Sequence, residues 1–75
     1  MSVSAVISPS VALTFDAVAE AASLAESYAR NAAEFALIRD GRGAAYSLNC
    51  AAKALAVAAS TAQMLRPAQQ DGGGR

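Results

Sequence analysis

Cys50 is the only thiol in a chain of 75 residues that has no histidine. A cysteine becomes a nucleophile when a base or a close cation lowers its pKa. The nearest cation in sequence, Lys53, projects toward a polar helix face, so Cys50 reads as a packing residue, with redox contact across an interface as the alternative. Asp16, Glu20, Glu26 and Glu34 are the carboxylates of the first half, and their spacing puts them together on the solvated side of a helix. Nothing there forms a cleft that would raise a carboxyl pKa for acid–base work. Tyr28 and Tyr46 sit at the margins of apolar faces, ordinary places for amphipathic side chains. Gly41-Arg42-Gly43 lacks the GxGxxG spacing, the preceding strand and the Lys-Ser/Thr of phosphate-binding loops, and reads as a turn. Arg39 and Arg42 lie at the tip of that turn and are the candidate contacts for an acidic partner. With one Cys and no His, metal clusters and internal disulfides are both excluded. The residues point to no catalytic, cofactor or metal site, and hence to a non-enzymatic protein.

The elements carrying these residues are two helices. Ser8-Pro9 is a helix start: a hydroxyl that accepts from free amides, then a proline whose fixed φ suits the first helical position. From Pro9 no Gly or Pro intervenes before Gly41, so helix 1 is expected over about 9–40. Its acidic residues come early, and Arg39 and Arg42 come at its end, an order that suits the helix dipole. Two glycines inside one continuous helix would cost about 2 kcal/mol, whereas Gly41 in the left-handed conformation would end it. The turn is therefore expected at 41–43 and helix 2 at about 44–66, with Pro67 closing it. So short a link makes the helices antiparallel neighbours. Residues 1–8 are expected to be flexible, and the polar, Gly-rich 67–75 to be a disordered tail of unassigned role.

On helical wheels, large residues can be brought together by pairing Phe35 with Leu48, Tyr28 with Leu55, Ala21 with Ala62 and Val18 with Leu65. This predicted seam leaves Cys50, Val57 and Met64, spaced by sevens, on a second stripe of helix 2, and Val11 and Phe15 overhanging its end. A helix apolar over most of its circumference needs cover from more than one side. Leaving Val57 and Met64 in water forgoes roughly 1.5–3 kcal/mol each. These five residues are thus the candidate interface to another copy or another protein.

The formal charge is zero, which argues against nucleic acid and against an anionic membrane surface. Asp16, Glu20, Glu26, Arg30, Glu34 and Lys53 interrupt every apolar window before it reaches spanning length, so no stable membrane insertion is expected. The N-terminal stretch lacks the positive region of a secretory signal. Together with the single thiol, this makes a reducing cytoplasm the expected compartment.

Lys53 to Gln63, KALAVAASTAQ, followed by Gln69-Gln70, resembles the Ala-rich helix of the small R-body (Reb, "killing trait") proteins. Asp16-Ala17-Val18 and Gly43 to Leu48, GAAYSL, are similar to other short pieces of that family. The resemblance implies small helical subunits that assemble into an insoluble cytoplasmic ribbon able to coil and extend. The charged outer face of helix 1 and the RDGRG turn depart from the family pattern.

The expected fold is all-α: an antiparallel two-helix hairpin that associates as a dimeric four-helix bundle or a larger helical assembly. At this length a single core is marginal without metal, disulfides or association. The expected function is that of a self-associating structural or assembly subunit whose main partner is itself. The alternative is a small regulatory module, of the inhibitor or adaptor kind found in mobile elements, that docks its apolar flank on a target protein.

Overall fold

A computed structural model describes residues 8–66, and over them the chain is an all-α hairpin. The expectations for 1–7 and for the 67–75 tail fall outside the described residues. Helix α1 spans Pro9–Leu37, helix α2 spans Gly41–Ala62, and a 3₁₀ turn over Gln63–Leu65 completes the second arm.

Helix α1 starts where Ser8 and Pro9 dictate. The Ser8 Oγ accepts from the Val11 N–H at 3.2 Å, and Pro9 occupies the first helical position. Along its outer side Arg30 donates to Glu26 at 3.3 Å, one turn back. Both side chains are well exposed, which limits such a pair to a few tenths of a kcal/mol.

The connection has the expected length but lies three residues earlier, and it is made differently. The last helical residue of α1 is Leu37, and only Ile38, Arg39 and Asp40 separate the helices. Arg39, not Gly41, takes the left-handed conformation, with φ of 64°, and neither turn glycine has positive φ. The Arg39 N–H donates to the Ala36 carbonyl at 3.0 Å and the Asp40 N–H to the Phe35 carbonyl at 2.9 Å. This is the paired closure of a Schellman cap. Asp40 then caps the next helix, its Oδ1 accepting from the Gly43 N–H at 2.9 Å. Gly41 and Gly43 are therefore helical residues of the first turn of α2, and Asp40 serves both helices. Because α1 stops at Leu37, Arg39 lies beyond its last turn, and neither helix has a basic last turn or an acidic first one. The dipole complement expected from the sequence is not realised.

Arg39→Gly is expected to stabilise the hairpin by about 1 kcal/mol, because a side chain in the left-handed region is strained. Asp40→Ala should destabilise it by about 1 kcal/mol through loss of the cap. Thermal melts of the two variants, read by circular dichroism, should move in opposite directions.

The packing between the helices is the second departure. Buried residues on α1 are Ala25 and Ala32, and on α2 Ser47, Ala54 and Ala58. Among the described residues no side chain larger than these is buried. Small side chains let the backbones approach, and close approach multiplies backbone and methyl contacts that bulky residues would hold apart. The expected meeting of large residues down the seam does not occur. Val18, Ala21, Tyr28, Phe35, Ala62 and Leu65 are half-buried along its edges, but Leu48 and Leu55 are 56% and 60% exposed.

Phe35 explains the shift of register. Its ring lies against Gly43, where an added Cβ would come within 2.6 Å of Phe35 Cδ1 and 2.9 Å of Asp40 Oδ2. Phe35 thus meets Gly43 instead of Leu48, a displacement of about 7.5 Å along α2 relative to the expected pairing. Moving the three-residue connection back from 41–43 to 38–40 shifts the pairing by about that amount. At the far end Arg66 is extended, with φ of −76° and ψ of 137°, the backbone expected of a residue that precedes a proline.

Candidate functional site

Two helices side by side make a layer with two broad faces, and both carry exposed apolar groups. One face holds a shallow groove of about 500 Å³ lined by Ala22, Ala25 and Ala29 of α1 and by Leu48, Ala51 and Leu55 of α2, with Glu26 on its rim. Counting back along the antiparallel arms from the contact of Phe35 with Gly43, Ala29 lies within one residue of Leu48 in level, and Ala22 within one residue of Leu55. Phe15 falls on the same helical row as Ala22 and Ala29, at the seven-residue spacing that repeats a helix face.

The opposite face carries Tyr28, Tyr46 and Cys50, followed along α2 by Val57 and Met64. Val57 and Met64 are exposed, the latter at 74%, while Cys50 is half-buried at the seam edge. Of the five candidate interface residues, the structure therefore groups Cys50, Val57 and Met64 but sets Phe15 on the other side of the layer. Val11, 38% exposed, continues the row of Val18 and Ala25 toward the helix start. A seam through Leu48 and Leu55 would make the five one surface. Turning α2 so that Ala54 faces α1 splits them.

Cys50 lies next to Tyr46, and the contact perturbs the phenol's titration. Hydrogen bonding with the Cys50 side chain, then the charge of Cys50, then Tyr28, raise the Tyr46 ionisation above the usual 10.0. A phenol whose pKa is higher folded than unfolded favours the folded state below the unfolded value. That contribution is lost as pH climbs through the folded value. Cys50→Ala should move the Tyr46 titration down toward 10, as followed by the NMR shifts of its ring protons, and an unchanged titration would place the cause elsewhere.

At the tip, Arg39 and Arg42 are brought to one end of the hairpin together with Leu37 and Ile38, both well exposed. Ile38 also lines a shallow depression with Asn31, Glu34 and Phe35. The Asp40 carboxylate is committed to the Gly43 amide, and among the described residues neither tip arginine is ion-paired. Asp16, Glu20, Glu26 and Glu34 are all exposed on the outside of α1. No group of three or more His, Cys, Asp or Glu side chains that could hold a metal occurs among the described residues, and no helix there is long and apolar enough to cross a membrane.

No family model, curated protein or solved structure matches this chain. What the geometry itself presents is a pair of apolar faces on a thin helical layer. Sequence reasoning missed the groove because its α1 wall is made mostly of alanines, which on a wheel look like filler. The usable signal was the equal spacing of Ala22 and Ala29 on one arm and of Leu48 and Leu55 on the other.

Proposed function

We propose that the chain is a non-enzymatic, self-associating helical subunit, a structural or assembly component that works through its Ala-rich helices. The observation that carries this reading is the imbalance of burial. Four alanine side chains and one serine are buried between the helices, while Phe15, Leu24, Leu48, Leu55, Val57 and Met64 are all more than half exposed. Burying four methyl groups contributes about 0.8 kcal/mol each, whereas each large side chain left in water forgoes about 1.5–3 kcal/mol. A hairpin in this condition gains most by covering its faces with more helix. Because the apolar groups lie on both faces, covering one leaves the other open to continue the assembly, which supports a subunit of a larger body over a closed pair. The likeness of KALAVAASTAQ to the R-body helix supports the same reading, and a reducing cytoplasm suits the single thiol.

The test is the solution mass by sedimentation over a hundredfold range of concentration, for the native chain and for a Val57→Asp, Met64→Asp variant. The native chain should sediment as a dimer or larger, growing with concentration. The variant should remain helical and lose the species above the dimer. A native chain that is monomeric throughout overturns self-association and turns the search toward a target protein that accepts the same faces.

A further inference from the structure

We propose that the groove face is closed by a second copy of this chain in a two-fold contact whose axis runs parallel to the helices, so that Leu48 and Leu55 of each copy seat over Ala29 and Ala22 of the other. The proposal rests on the self-association reading and names the surface and the geometry that begin it.

The face is self-complementary in this arrangement. Its α2 side is a ridge, Leu48 and Leu55, one pair of turns apart; its α1 side is a row of pits, Ala22 and Ala29, at the same spacing. Both rows advance about 10.5 Å between their members. They also start level, since Ala29 lies beside Leu48 and Ala22 beside Leu55 within one hairpin. A two-fold axis along the helices keeps every residue at its own level and lays α2 of one copy over α1 of the other. Ridge then meets pits twice, in the isologous manner of a closed dimer. A two-fold axis across the helices would instead lay α2 on α2 and α1 on α1. That places leucines against leucines and leaves a void between the alanines.

The area and the charge both permit it. The 22 residues of α2 give the face a length of about 33 Å, and two helices packed 8–10 Å apart give a width of about 20 Å. Roughly 650 Å² per copy, or about 1,300 Å² for the pair, lies within the range of specific dimers. The charged residue on the rim, Glu26, is already matched by Arg30 of its own helix at 3.3 Å. Among the residues that line the groove no uncompensated charge is carried onto the face.

The test uses the full chain carrying Val57→Asp and Met64→Asp, which blocks the opposite face. This parent should be a dimer; if it is monomeric while the native chain associates, the groove contact is wrong. On the parent, Ala29→Leu sets leucine against leucine at both symmetric sites, and Leu48→Ala sets alanine against alanine. Each variant alone should dimerise at least about tenfold more weakly. An equimolar mixture restores one leucine and one alanine at both sites, so mixed dimers should form, seen by native mass spectrometry, with affinity within about threefold of the parent. Homodimers unaffected by either change, or a mixture no stronger than its components, would overturn the contact. If either variant loses its helices, Ala22→Leu and Leu55→Ala pose the same question one pair of turns away. A native chain monomeric at every concentration would instead overturn the self-association reading itself.

Discussion

Replacing Ala32 by leucine should unfold the hairpin at ordinary temperatures, a larger effect than replacing any exposed leucine by alanine. Ala32 is 4% exposed and faces α2. Three added heavy atoms have no space there, so the helices must part, and parting them strips contacts from Ala25, Ser47, Ala54 and Ala58 as well. Overpacking of a tight interior costs about 1–3 kcal/mol. In a domain of this size each kcal/mol moves the melting temperature by roughly 4–8 °C. The comparison variant, Leu55→Ala, removes a side chain that the single hairpin leaves in water. At concentrations low enough to hold the chain monomeric its melt should move by less than about 0.5 kcal/mol. A seam of large residues gives the reverse order, with Leu55→Ala the damaging change. Paired circular dichroism melts at low concentration decide between the two arrangements.

Gly43→Ala and Gly41→Ala should have opposite signs despite lying two residues apart in the same helical turn. Alanine is the better helix former by about 1 kcal/mol, and neither glycine has the positive φ that would forbid it. At Gly41 an added Cβ meets nothing within 4 Å, so the propensity gain survives in part, a few tenths of a kcal/mol at a helix start. At Gly43 the same Cβ would lie 2.6 and 2.7 Å from Phe35 Cδ1 and Cγ. Relief requires the Phe35 ring to leave α2 or α2 to leave α1, and the net loss should be about 1–2 kcal/mol. Urea denaturation of both variants measures the difference. Equal effects would show that Phe35 does not hold the register.

The start of α1 was legible because Ser8-Pro9 is a local signal needing no tertiary partner. The hairpin was legible for the same kind of reason, since Asp40, Gly41 and Gly43 interrupt an otherwise unbroken helix former. The residue that turns the chain was not legible. Composition favours glycine in the left-handed conformation, yet Asp40 can cap α2 only if the residues after it are helical, and that moves the turn back onto Arg39. The glycines answer a different need: Gly43 is small because Phe35 lies against it, which no local pattern reveals. The seam failed for a related reason. A wheel ranks faces by hydrophobic size, and on this chain it selects Leu48 and Leu55. The folded hairpin selects Ala32, Ser47 and Ala54, because two helices joined by three residues must start close together, and only small side chains allow them to stay so. Val57 and Met64 could be seen to lack cover from the sequence, but their separation from Phe15 follows from the rotation of α2 and so required the structure.

The double duty of Asp40 also governs which changes of chain length this hairpin can accept. Surface connections are ordinarily where insertions and deletions are absorbed. Here one residue closes α1 through its amide and opens α2 through its carboxylate, and one added residue would divide those tasks between two positions. If the extra residue were taken into α2, it would turn that helix by about 100°, carrying Ala54 and Ala58 off the seam and a leucine row toward it. The connection is thus a place where an added or deleted residue should cost the hairpin its packing.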